Sequence, residues 1–328
     1  MPETARPARL TLASMLIRRM SRTSTVLAAV FAFVLAGTLT GAATPSSSSP
    51  DGHPVARQLL FFNHAYGVFD RETADAIEHS GYLRDFANFQ VRTTTGADGQ
   101  VWTGRYLLGR QTYVELFGVG DLPGKDGELG SAGAAVSVER SGDLATVIDR
   151  LPELGITDPL LFQQTRDFGD GIPVPWFDGV FTTGEYDTFG TWGMEYRPEY
   201  FADPRGNTEP PAYPGDVGRE RYLPDDYRDR LMRDVTEIRL AVTARDLGNT
   251  VPLLKAGGFT VKSFPGGAIA LRGGTTLAFE VVPIGETGLR GIDMSLNRPV
   301  SHRHVERLGT STLVVGPGSH AVWTFAAR

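Results

Sequence analysis

LLFFNHAYGVF, residues 59–69, decides how this sequence is read. The run is apolar and aromatic, has the length of one buried strand, and carries a single ionisable side chain, His64, near its middle. An ionisable group in such a strand needs a partner or a ligand. Strand alternation puts Phe62, His64, Tyr66 and Val68 on one face. A helical stretch follows from Arg71 to about Phe86, with Ala74, Ile77, Tyr82 and Phe86 among its apolar positions. Two further strands, VWTGRYLLG (101–109) and QTYVELFG (111–118), close the segment. In the second, Thr112, Val114 and Leu116 suit a helix-covered core. The opposite face holds Gln111, Tyr113, Glu115 and Phe117, a carboxylate among aromatics.

The same grammar recurs twice. AAVSVE (134–139) leads into the helix DLATVIDRLPELG (143–155) and later TWGMEYR (191–197). TEIRLAV (236–242) leads into DLGNTVPLLKAGG (246–258), then AIALRG (268–273) and TTLAFEVV (275–282). Pro252 in that helix suits only a first turn. Each segment reads strand, helix, strands, and repetition on this scale outweighs any single motif. The expected class is α+β, built from repeated βαβββ modules. The expected organisation is a first module over 58–130, a degenerate second over 131–234, and a third with C-terminal strands over 235–328. Between 157 and 234 the composition shifts to Pro, Gly, Asp and aromatics, which reads as the end of the second module plus a long irregular segment. Trp176, Phe177, Tyr186, Phe189 and Trp192 argue that this segment is ordered. Residues 289–297 and 311–326 read as further strands.

The N-terminus differs from the rest. Arg18, Arg19 and Arg22 precede an apolar run from Val26 to Leu39, and Gly41-Ala42-Ala43 follows. This is the order of a cleaved export signal over 1–43, and the run is too short for a comfortable membrane span. A flexible linker, 44–57, contains Pro45, four serines, Pro50 and Gly52. The expected location is extracytoplasmic. Removing the signal takes away five arginines and one glutamate, leaving an excess of ten acids over bases. With no basic run, this balance excludes nucleic acid and anionic membrane surfaces as partners. The absence of cysteine excludes disulfides and thiol chemistry.

Aligning the closing strands puts Glu115, Glu195 and Glu280 at equivalent positions. Aligning the opening strands puts His64 beside Gly133 and Arg239. If both strands line one concave face, His64 and Glu115 come together, and imidazole plus carboxylate suits a divalent metal such as Zn, Fe, Mn or Ni. With NHAYGVFD and TYVELFG as its first-module motifs, the chain resembles the vicinal oxygen chelate superfamily of glyoxalase I, bleomycin-resistance proteins and extradiol dioxygenases. Within it, the chain is most similar to secreted bacterial glyoxalase-like proteins of unknown function. The resemblance covers roughly residues 58–283. It implies curved mixed sheets with helices on the outer face, and a divalent cation that chelates adjacent substrate oxygens. His64 and Glu115 match the ligand positions of the first module. Glu195 or Glu280 is left as a further ligand or the general base. Gly133 and Arg239 depart from the pattern, since each stands where another module would offer a histidine.

Each signal also has a plain structural reading. His64 is otherwise a core histidine packed on Tyr66 or Tyr113, and Glu115 a buried carboxylate paired with Arg105 or Arg239. Tyr66, Tyr113, Trp102 and Arg239 line either a ligand pocket or ordinary core and surface. His302 and His304 share a strand face but sit among arginines in an expected turn. Gly118–Gly130 lacks the lysine of a phosphate loop, and no nucleophile elbow is present. Three functions fit: a metal-assisted isomerase, lyase or dioxygenase on a small oxygen-bearing substrate; a metal-free protein that sequesters a small molecule; and a cell-envelope interaction module. The sequence leaves the oligomeric state open.

Overall fold

The structure, a computed structural model, describes residues 57–95, 101–206, 208–223 and 225–327. The expected signal and all but the last residue of the linker lie outside them. Capping by short polar side chains sets the first crossover. Strand β1 (Leu60–Phe69) ends at Asp70, whose carboxylate accepts the Thr73 N–H at 2.7 Å and starts α1 (Arg71–His79). Ser80 ends α1 and caps α2 (Gly81–Phe86) by accepting the Leu83 N–H at 3.2 Å. The chain returns through β2 (Asn88–Thr95), β3 (Val101–Leu108) and β4 (Tyr113–Gly118), and β4 lies parallel beside β1. A second unit repeats this with β5 (Ala132–Val138), α3 (Asp143–Arg150), β6 (Leu160–Arg166), β7 (Val174–Phe181) and β8 (Phe189–Tyr196). Here β8 is parallel to β5.

The opening strands of the two units pair antiparallel, β1 with β5. They make one eight-stranded sheet in the order β2-β3-β4-β1-β5-β8-β7-β6. Residues 157–196 are therefore more regular than the composition of this stretch suggests, since they hold three ladder strands. Among the described residues of this stretch, the irregular part lies between 197 and 231, with α4 (Pro198–Ala202) and α5 (Arg219–Tyr222) inside it.

A second eight-stranded sheet follows. Its first unit has the same plan: β9 (Met232–Val242), α6 (Ala244–Ala256), β10 (Thr260–Phe264), β11 (Gly267–Leu271) and β12 (Thr276–Val281), with β12 parallel to β9. Thr243 caps α6 from the Asp246 N–H at 3.1 Å. Pro252 lies beyond the middle of α6, not in its first turn, and follows Gly248 by one helical turn. The other unit consists of β13 (Gly288–Val300), β14 (His304–Leu308), β15 (Ser311–Val315) and β16 (Gly318–Thr324). The sequence reading counts three repeats, whereas the structure has four four-stranded units. The last one has a short turn in place of the helix. A parallel return requires a crossover of a dozen residues or more, so β16 lies antiparallel to β13 and the unit closes as a Greek key.

The first sheet is buried on both faces. On one, α6 packs against β8, and the Thr250 and Thr191 hydroxyls sit 3.0 Å apart. The Leu59 N–H donates to Gly257 O at 2.8 Å, and the side chain of Leu289 on β13 lies against Gly67 of β1. The other face carries the aromatic side chains of β1, β4 and β8 and is met by α4 and α5, with the Phe201 ring 5.8 Å from that of Tyr196. Tyr222 of α5 stacks on Tyr196 with ring centroids 4.5 Å apart.

Candidate functional site

The site lies on the covered face of the first sheet, where the register places residues in rows. One row runs Tyr113, His64, Ala135, Trp192, Phe181 across five adjacent strands. His64 stacks on Tyr113 at 4.4 Å and meets Trp192 edge-on at 5.4 Å, across the small Ala135. The next row runs Tyr106, Glu115, Tyr66, Gly133, Gly190. His64 and Glu115 thus share a face, two register positions apart, as the alternation argument requires.

Phe62 does not join them. A β-bulge at Asn63 pairs Phe62 with Val136 and His64 with Ala135, so those two side chains point to opposite faces. The bulge gives Asn63 a role that sequence alternation cannot assign. Its Nδ2 donates to Ser137 Oγ at 2.9 Å and Tyr196 Oη at 3.3 Å, which leaves Oδ1 to accept from His64 Nδ1–H at 2.9 Å. With Nδ1 carrying the proton, Nε2 is a bare acceptor. Fully buried, it has no partner among the described residues. Burial also pushes the His64 imidazolium down to about 3, so the ring is neutral at ordinary pH.

Glu115 is the complement. It is 1% exposed, and neither carboxyl oxygen has a hydrogen-bond partner among the described residues. Burial raises it to about 8, so at neutral pH it is mainly a protonated acid that can donate as well as accept. Arg105, a candidate partner from sequence, lies on the other face. It pairs with Glu78 at 2.5 Å and with Asp121. Two more buried polar atoms near this row, Tyr106 Oη and Trp192 Nε1, also lack partners among the described residues. Buried polar groups are nearly always satisfied, so a set of orphans on one face calls for an explanation. Chemically, the set offers one bare acceptor and one acid able to release a proton near neutrality.

The other sequence candidates lie elsewhere. Glu195 projects to the helix-bearing face, where its carboxylate accepts from Gly142 N–H at 2.8 Å and Leu144 N–H at 3.1 Å and caps α3. Glu280 is exposed on the second sheet, opposite Ala241. Arg239, also on the second sheet, is held by Glu237 at 2.9 Å and Asp293 at 2.6 Å. None of the three is brought to His64. Tyr66 and Tyr113 are, as buried walls of the site. The Trp102 side chain lies outside the described residues. His302 and His304 are exposed, and His304 stacks on Tyr82 at 4.0 Å. Among residues not singled out from sequence, Tyr106 and Tyr222 stand close enough to Glu115 for its charge to oppose ionisation of their phenols.

A divalent metal of the kind the resemblance implies needs three or four protein donors. His64 Nε2 and the Glu115 oxygens are donors of the right chemistry. The second module supplies Gly133, Ala135, Gly190 and Trp192 in the same rows. The place beside Gly133 is filled, because a Cβ there would overlap the Tyr66 ring. Among the described residues no group of three or more His, Cys, Asp or Glu could hold a metal ion. The donor set does not fit the superfamily's cation.

Two βαβββ units joined through their opening strands, with a second such sheet behind, define an α+β protein of paired modules. The match to a family of unknown function, DUF5829, extends over residues 62–325, and the chain belongs to that family. No curated protein matches it. Among solved structures, a hypothetical protein from Staphylococcus aureus is similar at 9% identity, covering 79% of this chain and 100% of that one, with a TM-score of 0.47. A halotolerant catechol dioxygenase, BphC, is similar at 10% identity, covering 82% and 88%, with a TM-score of 0.39. A catechol 2,3-dioxygenase is similar at 12% identity, covering 83% and 90%, also with a TM-score of 0.39.

Proposed function

We propose that this chain is a vicinal-oxygen-chelate-type protein whose first sheet binds a small oxygen-bearing molecule directly, without a metal. One observation carries the reading: His64 Nε2 and both Glu115 oxygens are buried on one face and unpartnered among the described residues. Leaving such atoms unmet costs about 1–3 kcal/mol each, and a ligand that meets them recovers that cost. The acceptor at His64 calls for a hydroxyl. The neutral acid at Glu115 calls for a carbonyl oxygen, with Tyr106 Oη and Trp192 Nε1 as further donors. Aromatic walls favour a flat apolar body between the polar ends. Entry requires the α5 cover to shift, since Tyr222 lies over this face.

The same proposal puts the protein outside the cytoplasm, on the strength of the arginines at 18, 19 and 22 and the apolar run behind them. The test is titration calorimetry of the purified chain with ortho-hydroxyacetophenone, together with elemental analysis of protein prepared without chelator. Chelator-insensitive binding, lost in Glu115→Gln and His64→Phe, is expected. One tightly held divalent metal per chain, lost in His64→Ala, would replace this reading with a metal-centred one.

A further inference from the structure

Helix α5 divides its side chains between two environments. Arg219 and Tyr222, each 3% exposed, point inward, whereas Glu220 is exposed and Arg221 half-buried. The two inward residues connect to the two positions before His64. The Arg219 guanidinium donates to the carbonyl of Phe62, beside the β1 bulge, and its Nε donates to Glu139 at 2.6 Å. Tyr222 stacks on Tyr196, whose hydroxyl accepts from Asn63, the residue that orients the His64 ring. The cover and the imidazole are held by one set of contacts.

A four-residue helix has little stability of its own, so its contacts decide where it sits. On the outer side, Glu220 meets Arg110 at 2.7 Å, but both side chains are well exposed and such a pair contributes little. The Arg219–Glu139 pair differs, with side chains only 4% and 25% exposed. Breaking a desolvated, hydrogen-bonded pair of charges is far more costly. Gly218 permits the close approach, since a Cβ there would lie 2.5 Å from a Glu139 carboxylate oxygen. The outer side of α5 meets open space. Gly218, Glu220 and Arg221 border a groove of about 880 Å³, with Tyr213, Arg233 and Asn297 among its other walls.

We propose that α5 is the gate of the His64–Glu115 site and that Arg219 is its latch, a positioning residue whose release lets α5 move outward into this groove. Opening lifts Tyr222 from the aromatic face and frees the Phe62 carbonyl in the same motion. The proposal rests on the reading of that site given above, but the latch is measured without any ligand.

The probe is diethyl pyrocarbonate, which acylates unprotonated imidazole nitrogen. At His64 that atom is Nε2, which is buried while the gate is shut. Mass spectrometry follows the peptide carrying His64 against the one carrying the exposed His302. Arg219→Lys and Glu139→Gln should each speed modification of His64 at least about tenfold, the worth of one charge-assisted hydrogen bond. The His302 rate, and hydrogen exchange along β13 to β16, should stay unchanged. A His64 rate unmoved in both variants would overturn the gate. So would a rise matched by faster exchange in the second sheet, which would mean that the fold as a whole has loosened. The unmodified protein supplies a second test should a variant fail to fold. Its His64 rate should depend only weakly on urea below the unfolding transition, because a local opening exposes little surface. A dependence as steep as that of global unfolding would overturn the proposal. Binding of ortho-hydroxyacetophenone with an unmoved His64 rate would remove the gate and keep the binding reading. A faster His64 rate without ketone binding would do the reverse.

Discussion

The ring of Tyr66 lies across the backbone of Gly133, its neighbour on the antiparallel strand β5, in the space that any side chain at 133 would need. A similar placement occurs on this face with Phe162 over Gly179, its partner across β6 and β7. An aromatic ring laid over a cross-strand glycine covers exposed backbone and pins register. At Gly133 it has a further consequence, because it closes the position from which the second module would supply a metal ligand.

That relationship predicts a coupled pair of substitutions. Gly133→Ala alone should destabilise the protein by about 1–3 kcal/mol, because the core around Tyr66 has no room to relax. Tyr66→Ala alone leaves a cavity and should cost about 3–5 kcal/mol, as for other large aromatic truncations. The double variant should cost less than the sum, by about 1 kcal/mol or more. Urea denaturation of all four proteins gives the cycle. Strict additivity would show that the Tyr66 ring is not held against Gly133.

The hydrogen bond from His64 to Asn63 fixes a tautomer, which nitrogen NMR reads directly. His64 should show a protonated Nδ1 and an unprotonated Nε2, unchanged as the pH falls to about 4, because its imidazolium is pushed down to about 3. Asn63→Leu removes the acceptor and should release this preference. It should also cost about 1–3 kcal/mol, since the Ser137 and Tyr196 hydroxyls lose their donor. A protonated Nε2 in the wild-type protein would remove the bare acceptor on which the binding proposal depends.

Asp246 ties the two sheets together. It is fully buried near the start of α6, and its carboxylate accepts from the backbone N–H groups of Asp187, Thr188 and Phe189 at 2.7, 3.0 and 2.9 Å. Asp246→Ala strands several donors at the head of β8 and should cost at least about 3 kcal/mol. Because β8 carries Trp192, hydrogen exchange should rise first along Phe189–Tyr196. A loss of less than about 1 kcal/mol would mean that these donors find other partners.

Much of the first module is legible in the sequence because its signals are local. A continuous apolar strand with one imidazole, a capped helix and an alternating strand with one carboxylate place His64 and Glu115 on one face without any coordinates. What escapes the sequence depends on register and curvature. The bulge at Asn63 shifts Phe62 to the other face through one extra residue, which no periodicity records. Glu195 looks equivalent to Glu115 in a local alignment, but on β8 it falls one position out of phase and caps α3 instead. The helix-less fourth unit hides because its strands carry no helix to announce the repeat.

Opposed titrations of His64 and Glu115 set the last prediction, a stability profile with a flat top. The His64 imidazolium is lowered from 6.5 to about 3, so its neutral form favours the fold above the unfolded value. That contribution is lost as pH falls from 6.5 towards 3. Glu115 is raised from 4.5 to about 8, so its protonated form favours the fold at low pH. That contribution is lost as pH rises from 4.5 towards 8. Between about pH 4.5 and 6.5 the two slopes cancel. Above about 6.5 only the Glu115 slope remains, and the unfolding free energy should fall by about 1.4 kcal/mol per pH unit until about pH 8. Glu115→Gln should flatten this upper limb, and His64→Phe should flatten the limb below about 4.5. Urea unfolding across pH 3 to 9 for the three proteins tests it. An upper limb that persists unchanged in Glu115→Gln would assign the loss to another group and leave Glu115 ionised at neutral pH, which would remove the donor that the proposed ligand requires.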